Sequence, residues 1–91
     1  MGKKVTLEDF SRNFNVEFPA DYGEIYVINE EAFEYYYHEK RKHGGPWVTI
    51  RKDETGHWFY IRLNNVSTSS VHNTLQECIN AAYHDMLRSK Y

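Results

Sequence analysis

The fold is decided by a stretch near the middle of the chain, residues 46–63, which reads PWVTIRKDETGHWFYIRL. Two runs rich in β-branched and aromatic residues flank the polar segment 53–56, and this pattern predicts a β-hairpin. A four-residue loop pairs Lys52 with His57 and sets the register of both strands. Because side chains alternate along a strand, this register places four apolar residues on one face of the hairpin: Val48, Ile50, Phe59 and Ile61.

Three further elements are predicted around the hairpin with good local signals. A short helix begins after the N-cap Thr6 and ends near Phe14, and residues 25–28, which read IYVI, predict a strand. Residues 73–88 predict a final helix, because their apolar side chains recur every three or four positions. Thr74 and Glu77 have the spacing of a capping box at the start of this helix.

A helix is also predicted over residues 30–43. Glu30 and Glu31 would lie in its first turn, and the basic run 40–43 would lie in its last, so that both complement the helix dipole. Gly44 and Gly45 suit a helix end, and Pro46 prevents continuation. The expected architecture is therefore an α+β domain spanning residues 1–91, with a small three-stranded, largely antiparallel sheet packed by helices on one face in the order (α)βαββα.

Composition narrows the classes of protein to which this chain can belong. Ninety-one residues, 41 % hydrophobic and 26 % charged, suit one globular domain. No apolar run approaches the roughly 18 residues that a membrane span needs. The N-terminus lacks the apolar region of a secretory signal, and a single cysteine cannot form an intramolecular disulfide. These features predict a cytoplasmic protein.

No motif in the sequence predicts catalysis, a metal site or a cofactor. P-loop, nucleophile-elbow, kinase and zinc-protease signatures are all missing. His38 and His43 are five residues apart and therefore do not share one helical face, whereas residues four apart do. Cys78 lies on the apolar stripe of the last helix, where a small buried hydrophobe is expected. We therefore expect a protein that is not an enzyme and has no small-molecule substrate.

The small net charge of −2 conceals a strong asymmetry. Residues 1–39 contain nine acidic and three basic side chains, whereas residues 40–91 contain four acidic and eight basic ones. On the predicted helix, carboxylates four residues apart are separated by about 6 Å, which is of the same order as phosphate separations in nucleic acids. A solvated acidic helix face is the alternative interpretation. The candidate partner-binding residues are Glu17, Asp21, Glu24, Glu30, Glu31, Glu34 and Glu39.

A second candidate surface is the other face of the predicted hairpin, which interleaves aromatic and basic side chains. Such a face can stack bases and hold phosphates, it can form a protein interface, or it can pack internally through cation–π contacts. The residues concerned are Trp47, Arg51, Trp58, Tyr60 and Arg62. This surface supports the alternative function, a small nucleic-acid-binding module.

The chain resembles a known group of viral proteins in several features. These are its small size, its acidic N-terminal half, the run EIYVINEE at residues 24–31, the aromatic stretch 35–37 and the lack of a catalytic motif. In these it resembles small early proteins of T-even phages and is most similar to the anti-restriction nuclease family. That resemblance implies a homodimeric DNA mimic that blocks a host modification-dependent restriction endonuclease in the host cytoplasm. We therefore expect a non-enzymatic inhibitor with a DNA-like acidic surface.

Overall fold

The computed structural model describes residues 2–19, 23–36, 48–62 and 67–88. Within these residues, six strands form one sheet in the spatial order β1-β2-β3-β4-β5-β6, and every neighbouring pair is antiparallel. The elements in chain order are β1 (Lys3–Val5), α1 (Leu7–Phe14), β2 (Glu24–Asn29), β3 (Ala32–Tyr36), β4 (Val48–Lys52), β5 (Trp58–Arg62), β6 (Ser67–Thr68) and α2 (Leu75–Arg88). The α+β class is confirmed, but the sheet is larger than the predicted three strands and the element order differs.

The two terminal helices form where the sequence predicts them. The Thr6 hydroxyl accepts a hydrogen bond from the backbone N–H of Asp9 at 3.0 Å, and Thr74 does the same for Glu77 at 3.1 Å. Each hydroxyl thus satisfies one of the N–H groups that a helix start leaves without a partner. Helix α1 ends at Phe14, and its C-cap Asn15 adopts the left-handed conformation with φ of 55°. None of the helices in the described part of the chain is long and apolar enough to cross a membrane.

The prediction of a helix over residues 30–43 is wrong for residues 30–36, which are the part of it that the structure describes. Residues 32–36 form β3, which pairs with β2 on one side and β4 on the other. Phe33 and Tyr35 are 0 % and 3 % exposed, whereas the alternate residues Glu34 and Tyr36 are half-buried. This alternation has the period of a strand, and burial of two aromatic rings outweighs the favourable helix-dipole charges. The rest of the predicted helix, residues 37–43, lies outside the described residues.

The hairpin of β4 and β5 forms, but its register differs by one residue from the prediction. The backbone N–H of Asp53 donates to the carbonyl of His57 at 2.8 Å, and Gly56 N–H donates to the carbonyl of Asp53 at 3.2 Å. Gly56 has φ of +89°, as expected for the left-handed position of a three-residue hairpin loop. Lys52 therefore pairs with Trp58 rather than with His57.

This one-residue shift exchanges the two faces of β5. We define the inner face as the face of the sheet that packs against α1 and α2. Trp58 and Tyr60 lie on this face together with Val48 and Ile50. Phe59 moves to the opposite, outer face. Since side chains alternate strictly along a strand, a slip of one residue moves every side chain of the strand to the other face.

Aromatic rings fill the centre of the inner face. Phe33 is fully buried, and its ring centroid lies 4.8 Å from that of Phe10, 4.9 Å from that of Phe14 and 5.6 Å from that of Trp58. The pairs with Phe10 and Phe14 are edge-to-face and the pair with Trp58 is stacked, and such pairs stabilise a core beyond the area that they bury. Packing between α1 and the sheet thus accounts for several of the aromatic residues of the chain.

The register can be tested by truncating adjacent aromatic side chains. Trp58→Ala should lower the free energy of unfolding by about 3–5 kcal/mol, which is the usual cost of removing a buried aromatic side chain. Phe59→Ala on the outer face should cost only about 1 kcal/mol. Urea unfolding followed by circular dichroism measures both values. The register predicted from sequence gives the reverse order, so a more costly Phe59 substitution would contradict the observed pairing.

Candidate interaction surface

The acidic residues predicted to bind a partner do not lie in a row along one helix. The described members are Glu17 after α1, Glu24 at the start of β2, Glu30 and Glu31 in the turn between β2 and β3, and Glu34 in β3. Asp21 and Glu39 lie outside the described residues. The predicted helical spacing of the carboxylates is wrong, because residues 30–36 form a turn and a strand rather than a helix.

Two turns instead bring a different set of carboxylates together. The turn of residues 30–31 and the turn of residues 53–57 both lie at the same end of the antiparallel sheet, which we call the hairpin end. A backbone hydrogen bond of 2.9 Å from Lys52 N–H to the carbonyl of Glu31 ties them to each other. The hairpin end therefore carries Glu30, Glu31, Asp53 and Glu54.

The carboxylates at the hairpin end have different roles. The Asp53 side chain accepts hydrogen bonds from Thr55 N–H at 2.9 Å, from the Thr55 hydroxyl at 2.7 Å and from His57 N–H at 2.9 Å. These bonds lower the pKa of Asp53 below its usual value, and the bond from the Thr55 hydroxyl has the largest effect. Glu30, Glu31 and Glu54 are exposed, and none of them forms an ion pair within the described residues. Asp53 therefore shapes the turn, and the three glutamates present charge to solvent.

The remaining predicted acids are separated from the hairpin end. Glu24 lies at the opposite end of β2, where the Lys4 ammonium is 3.0 Å from its carboxylate. Glu34 is half-buried on the outer face, opposite Tyr26 and Thr49 in the sheet register. The backbone N–H of Glu17 donates to Gln76 Oε1 at 2.6 Å, and Gln76 Nε2 donates to the Glu17 carbonyl at 2.7 Å, so that this segment is attached to α2. The acids therefore occupy several parts of the surface.

The prediction that Arg51 shares one face of the hairpin with Trp58, Tyr60 and Arg62 is wrong. Trp58 and Tyr60 are 9 % and 7 % exposed on the inner face, whereas Arg51 is exposed on the outer face. Trp47 lies outside the described residues. The cause is the one-residue register shift, which turns the aromatic side chains of β5 toward the helices.

A half-buried ion pair explains why Arg62 lies with the aromatic residues on the inner face. The Tyr60 hydroxyl donates to the Asp85 carboxylate at 2.9 Å, and Arg62 Nη1 donates to the other oxygen of that carboxylate at 3.2 Å. The side chains of Arg62 and Asp85 are 19 % and 23 % exposed, and partly buried charge is tolerated when it is paired and hydrogen-bonded. Arg62 and Asp85 thus join β5 to α2.

The outer face was not recognised from sequence. Its large side chains are Tyr26, Tyr36, Phe59 and Ile61, all half-buried, and neither described helix packs on this side. The rings of Tyr26 and Tyr36 form an edge-to-face pair with centroids 5.2 Å apart. The sequence does contain a signal for the observed register of β4 and β5. An Asp followed three residues later by a Gly, as at Asp53 and Gly56, is typical of a hairpin loop with a left-handed glycine. That loop gives the observed register.

Cys78 is fully buried in α2, where burial raises the pKa of its thiol to about 12. A thiol held in its protonated form is a poor nucleophile and a poor metal ligand. In the described ranges, no group of three or more His, Cys, Asp or Glu side chains is arranged to hold a metal ion. Cys78 therefore acts as a core residue.

Comparisons with protein families, with curated proteins and with solved structures give no match for this chain.

The Tyr60–Asp85 contact predicts a specific dependence of stability on pH. Burial of the ring, together with the hydrogen bond to Asp85, raises the pKa of Tyr60 to about 12 from an ordinary value of 10.0. Between these two values the folded state keeps a proton that the unfolded chain releases, so stability falls as pH rises through this range. Below the lower value the contribution is fully present.

Urea unfolding at a series of pH values, with the wild type compared with Tyr60→Phe, isolates this contribution from that of the other tyrosines. The wild type should lose more stability than Tyr60→Phe as the pH rises from about 10 to about 12. Asp85→Asn should retain only part of the effect, because burial remains when the charged acceptor is removed. Parallel curves for the wild type and Tyr60→Phe would show that Tyr60 titrates normally.

Proposed function

We propose that this protein is a non-enzymatic inhibitor that presents the hairpin end as a DNA-like acidic surface to a nucleic-acid-processing enzyme, such as a host restriction endonuclease. The observation that carries the proposal is the cluster of exposed glutamates, Glu30, Glu31 and Glu54, on two turns joined by a backbone hydrogen bond. A DNA-binding groove is lined with Lys and Arg side chains, and such a groove attracts carboxylates as it attracts phosphates.

The spacing of the two turns suits this role. Neighbouring strands lie about 4.8 Å apart, so the centres of the two hairpins are separated by about 10 Å. Carboxylates on two turns at this separation can face more than one basic side chain of a DNA-binding groove.

Pairing of the basic side chains supports the proposal despite the small net charge. Four of the basic residues in the described part of the chain are engaged by other side chains: Lys4 with Glu24, Arg12 with Asp9, Arg62 with Asp85, and Lys52 with the ring of Trp58. Three of these four charges, those of Lys4, Arg12 and Arg62, are offset by carboxylates away from the exposed glutamates of the hairpin end. Lys52 keeps its charge beside Glu30 and Glu31, where Lys3 also lies, so the hairpin end combines the glutamate cluster with two lysines.

The proposal also includes a cytoplasmic location and assembly as a homodimer, both of which follow from the resemblance to phage anti-restriction proteins. We assign the second copy to the outer face, where Tyr26, Tyr36 and Phe59 are half-buried and on which neither described helix packs. The alternative of a nucleic-acid-binding module gains no support from the inner-face positions of Trp58 and Tyr60. An acidic mimic should repel DNA.

An inhibition assay with charge-matched variants tests the proposed function. The protein should inhibit cleavage of modified DNA by a modification-dependent restriction endonuclease, and Glu30→Lys/Glu31→Lys should raise the inhibitory concentration by about 100-fold, since each reversal replaces an attraction with a repulsion. Glu8→Lys/Glu17→Lys has the same change in net charge at exposed sites elsewhere and should inhibit almost normally. Inhibition should also weaken as salt is added.

Two results of this assay would contradict the proposal. Equal loss of inhibition in both double variants would show that total charge matters and the hairpin end does not. Tight binding of labelled DNA to the protein alone, measured by fluorescence polarisation, would favour the nucleic-acid-binding module. Circular dichroism of both variants provides the control for folding.

A further inference from the structure

A cleft of about 1030 Å³ opens at the hairpin end, between the last turn of α1 and the turn that joins β2 to β3. It is an open depression on the helix side of the sheet. Pockets that bind small ligands usually have volumes of about 300–1,000 Å³, so its size is sufficient for a side chain and the backbone that carries it.

The floor of the cleft is apolar. Val5 from β1, Phe14 from α1 and Val27 from β2 line it, and all three are half-buried. Phe14 stacks on the fully buried Phe10 with centroids 4.5 Å apart, so its ring is held in place by the core. A fixed aromatic and aliphatic floor that remains open to water suits a ligand with an apolar body.

The rim of the cleft is charged and polar. Glu30 and Glu31 lie on it beside the amide side chains of Asn13 and Asn29, and all four are exposed. Lys3 and Lys52 also line the cleft, and the Lys52 ammonium lies 5.7 Å from the ring centre of Trp58. In the part of the chain that the structure describes, neither glutamate forms an ion pair across the cleft.

We propose that this cleft receives an arginine side chain of the partner protein, and that this arginine is the central contact of the acidic surface. This inference rests on the proposed function, because it names the group that the hairpin end recognises. Arginine combines an apolar stem with a planar cation. The stem covers Val5, Val27 and Phe14 on the floor, while the guanidinium meets the glutamates on the rim.

Arginine fits the cleft better than the other charged side chains. Its guanidinium can donate two parallel hydrogen bonds to one carboxylate and can also stack on an aromatic ring, whereas the lysine ammonium is a compact, strongly hydrated charge. Arginine is also among the residues that most often dominate the energetics of protein interfaces. The competing occupant is an anion held by Lys3 and Lys52. Binding of an anion would weaken when the lysines are removed and would strengthen when Glu30 and Glu31 are neutralised.

Titration of the full-length, isotope-labelled protein with small probes tests the assignment by NMR. N-acetyl-arginine methylamide should shift the backbone amide signals of Val5, Phe14 and Val27 in a saturable way at millimolar concentrations. N-acetyl-norleucine methylamide, which is apolar and uncharged, should not do so, and neither should inorganic phosphate. Glu30→Gln/Glu31→Gln should weaken binding of the arginine probe by about tenfold, because it removes charge-assisted hydrogen bonds.

Glu54→Gln is the matched control, since Glu54 is equally exposed on the adjacent turn but does not line the cleft. It should leave binding of the arginine probe unchanged. Equal binding of the norleucine probe would overturn the proposal, because the floor alone would then explain the affinity. Phosphate binding that is lost in Lys3→Ala would also overturn it, in favour of an anion site.

The two proposals can fail separately. If the protein inhibits the endonuclease but the arginine probe does not bind, the cleft assignment is wrong and the acidic-surface function stands. If the probe binds with the expected dependence on Glu30 and Glu31 but no inhibition occurs, the cleft is an arginine site and the proposed function is wrong.

Discussion

The three-residue loop that closes β4 and β5 determines which side chains of this protein are buried. The Asp53 carboxylate holds the loop through bonds to Thr55 and His57, and Gly56 provides the left-handed backbone that the loop requires. A loop one residue longer would turn Trp58 and Tyr60 toward solvent and Phe59 and Ile61 toward the helices. The packing of α2, the pairing of Arg62 with Asp85 and the character of both sheet faces all depend on this loop.

Local signals in the sequence were sufficient for the parts of the fold that are stabilised locally. Both helices and their caps could be predicted, because Thr6, Thr74 and the apolar spacing of the last helix act within a few residues of one another. β3 could not be predicted, because the glutamates before it and the basic residues after it favour a helix. The strand is stabilised instead by pairing with β2 and β4 and by contacts of Phe33 with α1, which are distant in sequence.

The candidate site was only partly accessible from sequence for the same reason. Glu30 and Glu31 were identified as acidic surface residues, and their exposure agrees with that expectation. Their neighbours were not identified, because Glu54 and Phe14 come close to them only through the sheet and the packing of α1. The charge asymmetry between the two halves of the chain is real in the sequence, but the fold decides which charges lie together. Lys4, Arg12 and Arg62 pair with carboxylates, whereas Lys3 and Lys52 lie beside Glu30 and Glu31.

The edges of the sheet have a consequence for the behaviour of this protein at high concentration. β1 is an edge strand of three residues, two of which are the exposed Lys3 and Lys4, and β6 at the other edge has only two residues. Charged or very short edge strands discourage the addition of a strand from another molecule. The edges of the sheet, as formed by the described strands, therefore offer little backbone for the strand-by-strand growth that leads to amyloid-like aggregates.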